Sequence, residues 1–161
     1  MAKPRTDSPV TLSVLDRLID EKPNLSSEPA MLRAKSLREL RAAVRRDLEW
    51  LLNSRQPVQT PPKQCEHVEK SLYNYGLPDI NSANVASPEG RNRLMRAMEA
   101  ALALFEPRLA NVRVVMTSAA GEKTPQLRFR VEGLLRIDPT PEQVSFDTLF
   151  EMSNGEYKVQ S

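Results

Sequence analysis

The residues of this sequence whose types and spacing best suit chemistry are Glu106, Pro107 and Arg108. Proline disfavours helical geometry in the residue before it, so Glu106 must leave any preceding helix and Arg108 must lie at a rigid bend. An arginine held at such a bend can grip a carboxylate or successive backbone carbonyls of a partner protein at little ordering cost. Alternatively, Glu106 and Arg108 pair with each other or cap the local backbone. The segment is a candidate partner-binding site, with a local ion pair as the competing interpretation.

The sequence contains one cysteine and one histidine, Cys65 and His67. Two residues apart on a helix, they point to different faces, and no further Cys or His can complete a metal shell. His67 would have to be the base of any nucleophilic triad, yet the charged residues around it are typical of a solvated helix surface. The glycines are isolated and form no phosphate-binding loop. We therefore expect no metal ion, no cofactor and no catalytic residue.

The composition is that of a single globular domain without a strong electrostatic field. The chain has 161 residues, with 23 Lys and Arg against 21 Asp and Glu, a net charge of +2. This balance, with only 5% aromatic residues, argues against a nucleic-acid partner. Arg38, Arg41 and Arg45 nevertheless follow helical spacing and form a positive ridge. The ridge is either a solvated face or a contact for nucleic acid, lipid head groups or an acidic protein.

No segment predicts export or membrane insertion. Residues 1–11 are polar and lack the apolar core of a secretory signal. The longest uncharged apolar stretch, Ala100–Phe105, is far below the ~20 residues that cross a bilayer. We expect a cytoplasmic protein with no membrane-inserted part.

Helical signals fill the first two thirds of the chain. Residues 1–34 are predicted to contain a short amphipathic helix and a linker rich in Pro and Ser, and this helix docks either on the rest of the chain or on a partner. Three further helices follow, each with its own cap or stop signals. They are Leu37–Asn53, opened by Ser36 and Glu39; Gln64–Tyr75, closed by Gly76; and Pro88–Phe105, opened by Ser87 and closed by Pro107.

From Asn111 onward, apolar residues recur at every second position, which is the period of β-strands. Gly121 lies in the first connection, Asp138–Pro141 interrupt the chain before the third strand, and Asn154–Gly155 is a two-residue hairpin signal. No helix is left for parallel crossovers, so the sheet must be antiparallel. The predicted fold class is α+β, with N-terminal helices packed on a C-terminal antiparallel β-sheet. The alternating positions in the late strands include Val144, Phe146, Thr148, Phe150, Tyr157 and Val159.

Several motifs in this order resemble the TssE family of type VI secretion system baseplate subunits, which is similar to the lysozyme-like baseplate wedge subunits of contractile phage tails. The resemblance covers the chain from Leu12 to Val159, and Leu15–Leu18 favours the secretion family over a phage tail protein. It implies that residues 35–161 form a lysozyme-like baseplate wedge domain. The motifs are Asp47–Asn53, Ser71–Asp79, Glu106–Arg108 and Phe146–Thr148.

The resemblance implies a structural protein of a cytoplasmic baseplate docked at the inner membrane. It implies binding to the wedge proteins TssF, TssG and TssK, and initiation of the contractile sheath made of TssB and TssC. In the family the Glu-Pro-Arg bend contacts the core bundle of the wedge. Glu106 and Arg108 are therefore expected to bind it, with Pro107 fixing their geometry.

The late strands suggest how the sheath could start. Residues 143–152 and 156–160 can leave an unpaired sheet edge, to which arms of sheath subunits add strands by main-chain hydrogen bonds. The residues expected to bind there are Val144, Phe146, Tyr157 and Val159.

The lysozyme-like name also raises peptidoglycan hydrolysis, which needs one protonated carboxyl and a second carboxylate. Glu106 is the obvious acid, but Arg108 would favour its ionised form if the two pair. Asp79 and Asp138 lie in predicted turns, and spacing places neither opposite Glu106. We expect a protein that is not an enzyme. The alternatives are a hydrolase and a regulator that binds another protein through its basic helix.

Overall fold

The computed structural model describes residue 18 and residues 37–59, 66–79, 85, 87–117, 126–137 and 140–160. The predicted helix and linker over residues 1–34 lie outside these residues, apart from Leu18. Ser36, Cys65, Gly121 and Asp138 also lie outside them.

The first long helix, α1, spans Leu37–Asn53. Its apolar residues recur every three or four positions, which gives the helix one stripe that faces the core. Leu37 lies at the first turn and is exposed. The buried residues of the stripe are Leu40, Val44, Leu48, Leu51 and Leu52.

The predicted helix Gln64–Tyr75 is wrong in its extent. A four-residue helix, α2, spans Glu66–Glu69, and a 3-10 helix follows at Leu72–Asn74. Ser71 causes the break, because its hydroxyl donates to the Val68 carbonyl at 2.8 Å and accepts from the Tyr73 N–H at 3.2 Å. Leu72 is consequently 79% exposed instead of sharing a buried face with its neighbours.

Gly76 lies just beyond this segment with φ of +107°. The conformation lets the Leu77 N–H donate to the Ser54 carbonyl at 2.9 Å, which ties the segment to the end of α1. A Cβ at Gly76 would lie 2.4 Å from that same carbonyl oxygen, so only glycine fits this position.

The second long helix, α3, spans Pro88–Phe105 and begins as the sequence predicts. Ser87 is its N-cap and accepts a hydrogen bond from the Gly90 N–H at 3.0 Å. The helix ends at Phe105, since Glu106 before the proline has φ of −121° and ψ of 73°.

A single four-stranded sheet follows, with strand order β1-β2-β3-β4 and antiparallel pairing throughout. The α+β prediction is confirmed. The two central strands pair continuously from Gln126↔Glu151 to Leu135↔Glu142, and β1 carries an irregularity at Asn111, where φ is +53°. The strands are β1 Leu109–Met116, β2 Gln126–Leu135, β3 Glu142–Glu151 and β4 Glu156–Gln160.

The hairpin between β3 and β4 is longer than predicted. Glu151 pairs with Glu156, so residues 152–155 form the connection. Gly155 takes the left-handed conformation, with φ of +71°, at the last position of this turn and not inside a two-residue turn. Its N–H donates to the Glu151 carbonyl at 2.9 Å.

The core lies between the helices and one face of the sheet. It joins the buried stripe of α1 and the inner residues of α3 to the alternating positions of the strands, of which Phe129 and Phe146 are the largest. Among the described helices, none is long and apolar enough to cross a membrane.

Candidate functional site

The bend at Glu106, Pro107 and Arg108 is held by main-chain bonds on both sides. The Glu106 N–H donates to Leu102 in the last turn of α3 at 2.9 Å, and the Leu109 N–H donates to the Glu106 carbonyl at 3.1 Å. The Arg108 carbonyl accepts from the Arg136 N–H at 2.8 Å, just beyond the end of β2. Pro107 is exposed at the tip of the bend. The backbone here is fixed by α3, β1 and the end of β2 together.

The side chains of Glu106 and Arg108 face each other. Arg108 Nε donates to Glu106 Oε1 at 2.5 Å, and Arg108 Nη2 donates to Glu106 Oε2 at 2.5 Å. This is a two-point fork in which the carboxylate is only 4% exposed and the arginine side chain only 13%. Of the two interpretations that the sequence left open, the local ion pair is the one present in the structure.

Sequence reasoning missed Asp47 as the third member of this cluster. Arg108 Nη2 also donates to Asp47 Oδ2 at 2.6 Å, which brings the middle of α1 to the bend. The other oxygen, Asp47 Oδ1, accepts from Arg46 Nε at 3.0 Å and Nη2 at 2.8 Å. Asp47 directly precedes the buried Leu48, and an acidic residue bordering an apolar stripe was the available signal. We call Asp47, Glu106 and Arg108 the corner triad.

The two carboxylates of the corner triad stabilise the charged form of Arg108. Burial by itself would lower the pKa of Arg108, but the hydrogen bonds and charges of Glu106 and then of Asp47 raise it above its ordinary value. Tyr75 packs edge-on against Phe105 beside the triad. Its pKa is raised by burial and then by the negative charges of Asp47 and Glu106.

This arrangement suits binding and not acid catalysis. A glycosidase acid must carry a proton toward its substrate, whereas Glu106 accepts hydrogen bonds from Arg108 at both of its oxygens. Asp47 accepts from the same guanidinium, so both nearby carboxylates are engaged within the chain. In the part of the chain that the structure describes, no group of three His, Cys, Asp or Glu residues could hold a metal ion.

A half-buried arginine and an exposed tryptophan lie on α1 near the triad, and both residue types are common in protein interfaces. Arg46, which binds Asp47, lies over the ring of Trp50 at 5.1 Å from its centroid. Trp50 is 51% exposed although it is the one tryptophan of the sequence. We call Arg46, Trp50 and Pro107 the corner surface.

The basic ridge of α1 is partly used inside the chain. Arg41 forms an ion pair with Glu142 at the start of β3, whereas Arg38 and Arg45 are exposed. His67 is exposed on α2. The ridge is therefore not an uninterrupted positive surface.

The predicted binding residues of the late strands occupy two different environments. Val144 and Phe146 lie in the first half of β3, where the strand pairs with β2, and both side chains are buried. β4 pairs only with residues 147–151 of β3, so the predicted unpaired edge is wrong for that part of the strand. On the same side, residues 142–146 have no strand partner among the described residues, and for them the unpaired edge stays a prediction. Tyr157 and Val159 lie on β4, which is an edge strand.

The edge of β4 is occupied by side chains of α1. The Tyr157 N–H donates to Asn53 Oδ1 at 2.8 Å, and Asn53 Nδ2 donates to the Tyr157 carbonyl at 2.8 Å. The Val159 N–H donates to Glu49 Oε2 at 3.3 Å. At the opposite edge, the Val114 N–H of β1 donates to Glu99 Oε1 of α3 at 2.8 Å. Side chains from the helices thus reach the main chain at both edges of the sheet.

The part of the chain that contains the corner triad matches a known family. The model of the family described as baseplate wedge protein gp25 matches residues 38–140, which include the corner triad. This chain belongs to the gp25 baseplate wedge family. Membership gives it a structural role in a baseplate. The matched residues end before β3, so the late strands lie outside the match.

Comparison with solved structures finds a similar chain in one titled "The baseplate complex from the type VI secretion system". The two chains are 21% identical, the alignment covers 70% of this chain and 94% of that chain, and the TM-score is 0.46. No curated protein matches the sequence.

Proposed function

We propose that this gp25-family chain is the TssE-type wedge subunit of a type VI secretion system baseplate. Residues 35–161 form its wedge domain, which binds the wedge proteins TssF, TssG and TssK and initiates polymerisation of the TssB and TssC sheath. It works without catalysis, in a cytoplasmic baseplate docked at the inner membrane. The family membership and the ordered TssE-like motifs support this proposal.

The observation that carries the binding role is that one guanidinium, that of Arg108, holds both Glu106 and Asp47. This contact joins α1, which carries Arg46 and Trp50, to the bend, which carries Pro107. Tryptophan and arginine are among the residues that most often dominate protein interfaces. Glu106 and Arg108 therefore contribute to core-bundle binding by positioning the corner surface at little ordering cost.

The test of the binding role is co-purification of the wedge proteins with Arg108→Lys. Lysine keeps the charge but cannot make the two-point fork to Glu106 while also binding Asp47. We expect the Arg108→Lys variant to fold and the amount of wedge protein that co-purifies with it to fall several-fold. Arg130→Lys is the matched control, because Arg130 also pairs with a carboxylate, Asp147, but on the solvent face of the sheet. Equal recovery with both variants would refute the role of the triad.

Sheath initiation is proposed to use strand addition at β4. Residues Tyr157 and Val159 direct their N–H groups away from β3, as their bonds to α1 side chains require. Val159→Pro therefore removes an outward donor without removing a ladder bond to β3. We expect it to block sheath assembly while wedge association survives. Val159→Ala is the control, since it loses the buried side chain but keeps the N–H, and sheath assembly equal in both variants would exclude strand addition here.

A further inference from the structure

The outward main-chain groups of β4 are bound at two alternate positions, Tyr157 and Val159, by side chains from the end of α1. Glu49 accepts from the Val159 N–H, and Asn53 binds both the N–H and the carbonyl of Tyr157. Just beyond α1, Arg55 Nη2 donates to the Gly155 carbonyl at 2.8 Å. These contacts follow one another along the strand.

The four-residue spacing of Glu49 and Asn53 on α1 matches the two-residue spacing of Val159 and Tyr157 on β4 for a geometric reason. Four helical residues rise about 6 Å along the axis, and two strand residues rise about 7 Å. A helix that runs antiparallel beside a strand therefore presents every fourth residue to every second strand residue, as Glu49 and Asn53 do to Val159 and Tyr157. The helix side chains match the repeat of a neighbouring strand.

Asn53 reproduces a peptide group. Its carboxamide accepts from the N–H and donates to the carbonyl of one residue, which is the pair of bonds that an opposing residue makes in an antiparallel ladder. Asn53 is also exposed and is the last residue of α1.

We infer that Asn53, with Glu49, is a removable plug that closes the β4 edge in the isolated subunit and that an extended segment of a sheath subunit replaces it. The inference rests on the proposed sheath-initiating function. An open edge would pair with any exposed strand, including that of a second copy, so a plug restricts pairing to a segment that binds well enough to displace it.

Displacement is inexpensive for Asn53. Its Nδ2 also donates to the Glu49 carbonyl within α1 at 2.9 Å, a bond that it keeps when the strand takes over Tyr157. The incoming peptide restores both bonds to Tyr157, so no main-chain group is left unpaired.

The experiment compares the intact chain with Asn53→Ala. We expect amide hydrogen exchange at Tyr157 to accelerate at least tenfold in the free variant, because its donor loses its acceptor. Binding of the purified TssB–TssC sheath subunits should tighten roughly tenfold, since two hydrogen bonds no longer compete. Circular dichroism establishes that the variant is folded.

Two further variants keep the test decisive. Asn53→Asp keeps an acceptor for the Tyr157 N–H but cannot donate to its carbonyl, so we expect a smaller gain in sheath binding; it decides the matter if Asn53→Ala does not fold. Glu99→Ala removes the corresponding contact at the β1 edge and should leave sheath binding unchanged.

The outcomes distinguish a failure of the plug hypothesis from a failure of the proposed sheath-binding function. If the intact chain binds the sheath subunits and the folded Asn53 variants bind them no more tightly, the plug is refuted and sheath binding stands. Tighter binding with Glu99→Ala would place the incoming strand at β1 and likewise refute the plug. If no form of the chain binds the sheath subunits, both the proposed function and the plug fail.

Discussion

Arg108 Nη2 lies 2.6 Å from Asp47 Oδ2, although the two residues are 61 positions apart in the sequence. The contact joins the middle of the first long helix to the bend after the second one. Because the same nitrogen also binds Glu106, the bend cannot move without breaking its contact with α1. The position of the bend therefore depends on a long-range contact with α1 as well as on the local proline geometry.

Replacing Arg108 with alanine should destabilise the fold. The substitution leaves Glu106 buried without its cation, and breaking a buried pair from one side costs about 3 kcal/mol or more. Urea denaturation of Arg108→Ala measures the loss. Arg130→Ala, on the exposed Asp147 pair, should change the free energy of unfolding little. Similar midpoints for the two variants would contradict a stabilising triad.

Alkaline pH should weaken the fold through Tyr157. Burial raises the pKa of its phenol to about 12, against an effect of Arg55 that lowers it. Because the folded pKa lies above the unfolded value near 10, the full contribution is present below about pH 10. The free energy of unfolding then falls by roughly 2–3 kcal/mol as the pH rises from about 10 through about 12. Chemical denaturation at pH 9 and pH 11.5 measures the change.

The comparison for this pH effect is Tyr157→Phe, which should lose less stability between the two pH values than the unchanged chain does. An identical pH dependence in Tyr157→Phe would show that other groups cause the alkaline loss.

Gly76→Ala should be more destabilising than Gly155→Ala, although both glycines have positive φ. At Gly76 the new Cβ meets the Ser54 backbone, whereas at Gly155 the nearest atom is Arg55 Nη2 at 3.7 Å. We expect a loss of about 1 kcal/mol at Gly155 from the left-handed conformation alone, and at least about 2 kcal/mol at Gly76. Thermal unfolding of both variants measures the two losses of stability. A larger loss for Gly155→Ala than for Gly76→Ala would contradict the prediction.

Thr148→Val should stabilise the chain. Thr148 is 2% exposed on the core face of β3, and its Oγ1 has no hydrogen-bond partner among the described residues. Replacing the hydroxyl with a methyl group of similar shape removes a buried polar group and should add about 1 kcal/mol. Thr117→Val, at an exposed site, is the control. A lower denaturation midpoint for Thr148→Val would mean that the hydroxyl is satisfied.

Local sequence was sufficient wherever a signal acts within a few residues. Ser87 and Pro88 start α3 because a hydroxyl and a missing N–H suit the first turn, and Pro107 ends it because the residue before a proline avoids helical geometry. The period of two in Phe146, Thr148 and Phe150 selects the buried face of β3. The same reasoning misjudged residues 64–75, where apolar spacing was helical but the Ser71 hydroxyl competed for the backbone.

The contacts that join these elements to one another could be identified only from the folded chain. The sequence alone determined that Glu106 and Arg108 lie at a rigid bend, because proline geometry is local. Only the tertiary structure decided that Arg108 turns inward to Asp47 and that Asn53 covers Tyr157, 104 residues away. A hydrogen bond between distant residues depends on how the helices pack across the sheet, and no spacing along the chain encodes that packing.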